Sequence, residues 1–76
     1  MQLRPIASNM TQLDLADGTS VLFSYKTPVA AYLSDQAKYV RTATKWSGTT
    51  SRHINKWLEG VNATTVDQEI LDALTA

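Results

Sequence analysis

At 76 residues, with hydrophobic side chains at 43% and charged ones at 18%, the chain reads as a single domain, residues 1–76, too apolar for disorder and near the lower size limit for one self-sufficient core. Seven basic and seven acidic residues balance to zero net charge, unlike the basic balance usual in dedicated nucleic-acid domains. The absence of cysteine excludes disulfides, thiolate chemistry and cysteine-ligated metals, and favours a reducing, cytosolic setting.

The opening MQLRPIASNM has no basic start followed by an apolar stretch, so no signal peptide is expected. No apolar run approaches the roughly 18 residues of a membrane span, and a soluble protein without membrane contact is expected. Met1 to Met10 is a candidate extra strand at a sheet edge. Gln12 to Leu15 alternates and runs into Asp17-Gly18, the pair that favours a type I′ hairpin turn because both residues tolerate positive φ.

The next run, Thr19 to Lys26, places Val21, Phe23 and Tyr25 on one face, which is expected to be buried, and Leu22, Ser24 and Lys26 on the other. Thr27-Pro28 interrupts the ladder, since proline donates no backbone hydrogen bond. Val29 to Leu33 is the third strand, and Lys38 to Lys45, alternating and β-branched, the fourth. At Trp46 the period changes. Ser47 to Ser51 offers N-caps, Ile54, Trp57, Leu58 and Val61 follow at helical spacing, and Gly60 suits a C-terminal cap. A second helix is expected from Thr65, whose spacing to Gln68 makes a capping box, with Val66, Ile70, Leu71 and Leu74 turned inward. The fold class is α+β: an antiparallel β-meander of three to four strands followed by two C-terminal helices.

Charge is unevenly distributed along this frame. From Gln36 to Leu58 there are Lys38, Arg41, Lys45, Arg52 and Lys56 with no acid, and from Glu59 to the end Glu59, Asp67, Glu69 and Asp72 with no base. A core this thin leaves little net stability, so a second copy or a partner is a natural complement, and the basic and acidic segments could pair between chains.

Chemistry motifs are lacking. One histidine, no cysteine and scattered carboxylates make no nucleophile with a base and an orienting third group. Gly18, Gly48 and Gly60 lie too far apart for a phosphate-cradling loop. The protein is expected not to be an enzyme, to use no metal or cofactor, and to act by binding. A nucleic-acid reading takes Lys38, Arg41 and Lys45 on or near one strand, with Tyr39 in phase with Arg41 and Lys45 on one exposed sheet face, and Arg52 and Lys56 one helical turn apart. The plainer reading of the same cations is a solvated face. Trp57 reads as core; Trp46 either pins the helix to the sheet or stands exposed as a contact; His53 reads as a packing residue. The binding candidates are thus Lys38, Tyr39, Arg41, Lys45, Trp46, Arg52, His53 and Lys56.

Over Tyr39 to Leu58, YVRTATKWSGTTSRHINKWL, the chain resembles a group of small uncharacterised proteins encoded by tailed bacteriophages. The residues that carry the likeness are Tyr39, Arg41, Thr42, Lys45, Trp46, Ser47, Thr49, Thr50, Arg52, His53, Ile54 and Asn55, with VLFSYKTPVAAY, Val21 to Tyr32, upstream. It covers Leu13 to Leu58 and does not reach the final helix. The resemblance implies a phage protein in the host cytoplasm that binds and modulates a bacterial protein; the residues by themselves leave homodimerisation and nucleic-acid binding as the alternatives.

Overall fold

The structure, a computed structural model, describes residues 2–75. The chain runs through β1 (Gln2–Ala7), β2 (Met10–Asp14), β3 (Ser20–Ser24), β4 (Thr27–Leu33), β5 (Lys38–Thr42), α1 (Gly48–Leu58), β6 (Thr64–Val66) and α2 (Gln68–Leu74). The strands form one sheet in sequence order. Neighbours are antiparallel except β5 and β6, which are parallel.

The class is α+β, but the expected three to four strands and two C-terminal helices need correcting: the sheet has six strands, and α1 is the crossover between β5 and β6. Parallel neighbours need such a crossover because no tight turn can reverse the chain twice. The expected helix start at Thr65 falls inside β6. Thr64, Thr65 and Val66 are β-branched and suit a pleated edge, so α2 begins at Gln68 after Asp67.

The sheet is covered on both faces. Met10, Leu22, Val29 and Ala30 pack with Ile54 and Leu58 of α1, while Leu13, Val21, Ala31, Leu33 and Val40 pack with Leu71 of α2. Adjacent residues of β3, Val21 and Leu22, are therefore both fully buried. The expectation of one buried face through Val21, Phe23 and Tyr25 is overturned: Phe23 is half-buried, and Tyr25 lies in the turn, exposed, at φ 58°.

Thr27-Pro28 does not interrupt the ladder either, since β4 begins at Thr27. Pro28 pairs with Phe23 inside β4, and a register shift between Leu22 and Phe23 accommodates it, the setting in which a strand tolerates a missing donor. The Asp17-Gly18 turn differs in detail from a type I′ pair. Leu15 N–H donates to the Thr19 carbonyl at 2.8 Å, and of the two turn residues only Gly18, at φ 94°, has positive φ. The Asp17 carboxylate instead accepts the Thr19 N–H at 2.9 Å, which holds a wider loop.

Helix α1 starts at Ser47, whose side chain accepts the Thr50 N–H, a capping contact that satisfies one of the free donors of the first turn. It ends with Glu59 left-handed at φ 50°, followed by Gly60 at φ 84°, so the stop at Gly60 is off by one residue. Val61 consequently lies beyond the helix and is exposed. No helix among the described residues is long and apolar enough to cross a membrane.

Candidate functional site

The outer side of α1 is built by helical periodicity. Thr50, Ile54 and Leu58 face the sheet and are buried, which turns Arg52, Asn55 and Lys56 to solvent. Arg41, on β5, reaches the same ridge and donates to Asn55 Oδ1 at 3.5 Å. Among the described residues the ion pair is Arg4 with Asp14 at 2.7 Å. None of Lys38, Arg41, Lys45, Arg52 and Lys56 has a carboxylate of the described residues within 4.0 Å.

The remaining candidates separate. Lys38 stands opposite Leu33 in the ladder, on the α2 side by strand alternation, away from the ridge. Tyr39 is half-buried, 4.9 Å from the Tyr32 ring and 5.8 Å from that of Trp57, edge-on to the latter. It is therefore packed beneath α1, and the exposed face of Tyr39, Arg41 and Lys45 expected for stacking bases does not form. Lys45 is past the end of β5, in the loop before α1.

Trp46 is half-exposed and ties the loop before α1 to α2 rather than pinning α1 to the sheet. Its indole Nε1–H donates to Gln68 Oε1 at 3.2 Å, tying the loop to α2, while the side chain is 49% exposed. Gln68 is a junction: its Oε1 also accepts the Thr42 hydroxyl at 2.7 Å, and its Nε2 donates to the Pro28 carbonyl at 2.7 Å and Asp72 Oδ1 at 3.0 Å. Two strands, the β5–α1 loop and α2 meet on this one amide.

At the start of α1 a run of polar groups crosses from helix to sheet. Ser24 Oγ lies 3.1 Å from Thr50 Oγ1 and 2.8 Å from His53 Nδ1, and the Tyr25 and His53 ring centroids are 6.1 Å apart. Beside it, Tyr25, Lys45 and Trp46 flank an open cleft of about 310 Å³ floored by Ser24, Ser47 and Thr50. The Ser24–His53 pair has the spacing of a nucleophile and its base, but Ser24 is 2% exposed and no carboxylate among the described residues hydrogen-bonds His53. Its role is to satisfy buried hydroxyls, the condition under which polar groups are tolerated inside.

A second network lies on the same sheet face. The Asp14 carboxylate accepts Gln12 Nε2 at 2.7 Å, Ser20 Oγ at 2.9 Å and Arg4 Nε at 2.7 Å. The Gln12 bond, then that of Ser20, and more weakly Arg4, hold its pKa below the ordinary 3.8. Gln12 Oε1 in turn accepts the Trp57 indole N–H at 2.9 Å. Ser24, Gln12 and Gln68 were not legible as site residues, since the partners that join them to other elements lie 22 to 45 residues away in the chain.

The model of the family of unknown function DUF8033 matches residues 1–73, and the chain belongs to that family. The match takes in β1 and nearly all of α2, beyond the Leu13 to Leu58 resemblance. No curated protein and no solved structure matches the chain.

Proposed function

We propose that this member of the DUF8033 family is a non-enzymatic binding protein whose contact surface is the outer side of α1, and that its partner is a protein with an acidic patch. The observation that carries the reading is the ridge of exposed Arg52 and Lys56 with half-buried Arg41 beside them, all three without an ion-pair partner among the described residues, and the half-exposed Trp46. Aromatic and arginine side chains at a rigid surface are the residue types that carry most of the energy of protein contacts. The resemblance to phage proteins supplies the biological setting: a bacterial host protein as the partner, the host cytoplasm as the compartment, and modulation of that partner as the effect.

Affinity capture from nuclease-treated bacterial lysate tests it, with Arg52→Glu/Lys56→Glu beside the unaltered protein. A protein retained by the original and released by the charge-reversed variant, with unchanged circular dichroism, is the expected outcome. Equal retention by both removes the reading.

The unpaired cations also keep nucleic acid in view as the second reading. It expects oligonucleotide affinity that falls steeply with salt, since each neutralised phosphate releases counterions. Half-burial of Tyr39 and the position of Lys38 on the other side weigh against it. Unshifted single- and double-stranded oligonucleotides in low-salt electrophoresis would end it.

A further inference from the structure

A cleft of about 400 Å³ opens between the C-terminal half of α1 and the strands beside it, with Gln12, Tyr32, Tyr39, Lys56, Trp57 and Glu59 among the residues that line it. The volume is in the range that holds a small organic ligand. Three of its walls are aromatic, and they are mutually fixed: Tyr32 against Tyr39 at 4.9 Å and Tyr39 against Trp57 at 5.8 Å, the rings tilted by 54° and 73°.

The indole is fixed a second way, through a chain of hydrogen bonds. Asp14 holds the Gln12 amide by its Nε2, which directs the Gln12 oxygen at the Trp57 N–H. A ring oriented from both sides loses little freedom when something stacks on it, and such preorganisation is what favours binding. The amide has an acceptor lone pair left over, and neither tyrosine hydroxyl has a hydrogen-bond partner among the described residues. At the mouth stand Lys56 and Glu59, one donor and one acceptor, each without an ion-pair partner there.

We infer that this cleft is a site for a nucleobase carried on a small molecule, a nucleoside or its monophosphate. The aromatic walls take the face of the base, a contact open to any base because every base has a π-face. Gln12, Glu59 and the tyrosine hydroxyls take its hydrogen-bonding edge, and Lys56 meets the phosphate where the sugar leaves the mouth. A purely apolar ligand would leave the Gln12 and tyrosine groups without partners. The inference does not depend on the partner reading above, although Lys56 serves both.

The test is a titration of the isotopically labelled full chain followed by two-dimensional NMR, in a Trp46→Phe background so that one indole N–H reports on Trp57. Adenosine, guanosine, cytidine, uridine and their 5′-monophosphates are added, with ribose 5-phosphate and glucose as controls. At least one nucleoside shifts the Trp57 indole and Gln12 amide signals saturably, with a Kd of about 1 mM or tighter. Its monophosphate binds about two- to fivefold tighter, the effect of one exposed ion pair, and Lys56→Ala removes that difference. Gln12→Met weakens binding of both forms. The absence of saturable shifts with every nucleoside and nucleotide overturns the site, as do shifts of the same size with glucose. A monophosphate advantage that survives Lys56→Ala overturns the assigned orientation. The titration contains no protein partner, so its failure leaves the α1-ridge reading standing, and failure of that capture experiment leaves this one standing.

Discussion

The two helices cover opposite faces of one sheet by different means. α2 is seven residues long, has no side-chain N-cap bond, buries Leu71 completely in an aliphatic cluster, and reaches the sheet by the one amide of Gln68, bonded to Thr42 and Pro28. α1 is eleven residues long, capped by Ser47, and meets its face through both an aliphatic cluster and polar contacts: Ser24 with Thr50 and His53, and Gln12 with Trp57. Polar contacts have direction whereas apolar ones do not, so the α1 side can fix the orientation of its indole and imidazole rings. It is also the side that carries Arg41, Arg52 and Lys56 and the two clefts flanking the helix. Both faces close the fold, the α2 face with its polar contacts gathered on one amide and the α1 face with them spread along the helix.

Core truncations test this contrast most strongly. Leu71→Ala removes the only fully buried side chain of α2 and is expected to cost about 2–5 kcal/mol, read as a lowered urea midpoint. Because α2 is short, its helix signal is expected to be lost with it. Ile54→Ala falls in the same range, but Ser47, Thr50 and Trp57 still hold α1, so the remaining folded molecules should keep their near-ultraviolet tryptophan signal. If both variants lose stability and tryptophan signal in parallel, the faces are not held differently.

Gln68→Ala comes next. The amide joins β4, β5, the Trp46 loop and α2, and its removal strands the Pro28 carbonyl and the Thr42 hydroxyl, at about 1–3 kcal/mol. Trp46 emission should shift to the red as the indole loses its anchor, while the Trp57 signal, held by Gln12, stays. An unchanged Trp46 spectrum would show that the loop does not depend on that bond.

The strands from Leu13 to Thr42 were readable because alternation, Asp-Gly and β-branched residues act locally. α1 was readable for the same reason, through the spacing of Ile54, Trp57 and Leu58. The parallel pairing of β6 was not, since Thr64, Thr65 and Val66 are strand-forming only when a neighbouring edge accepts them, and Thr65 to Gln68 matches a capping box equally well. Burial of both faces of β3 was hidden because Ser24, polar in sequence, is satisfied by Thr50 and His53 from 26 and 29 residues away. Among the eight candidates, Arg41, Arg52 and Lys56 came together as helical and strand spacing required. Tyr39 and Lys38 did not, because alternation places them on opposite faces and α1 covers the one that Tyr39 occupies.

The smallest effect separates the faces by pH. Asp14 is held below its ordinary 3.8 by hydrogen bonds from Gln12 first, then Ser20 and Arg4. A carboxylate with a depressed folded pKa adds stability that is fully present above its unfolded value and is lost as pH falls through the lowered folded one. Acidification below about pH 4 should therefore weaken the Asp14–Gln12 bond, and with it the amide that orients Trp57, before α2 is affected. Asp14→Asn should flatten this acid limb in a thermal-melting series from pH 6 to about pH 2. Asp17 supplies the control: the Thr19 backbone N–H, then its hydroxyl, also lowers its pKa, so Asp17→Asn flattens the limb with the same sign. Its carboxylate lies in the β2–β3 turn, without contact with either tryptophan, so the Trp57 emission should keep its pH dependence in Asp17→Asn and lose it in Asp14→Asn. If the two variants behave alike in Trp57 emission, the hydrogen-bond chain from Asp14 does not position the indole, and the α1 face loses one of the polar contacts that set it apart.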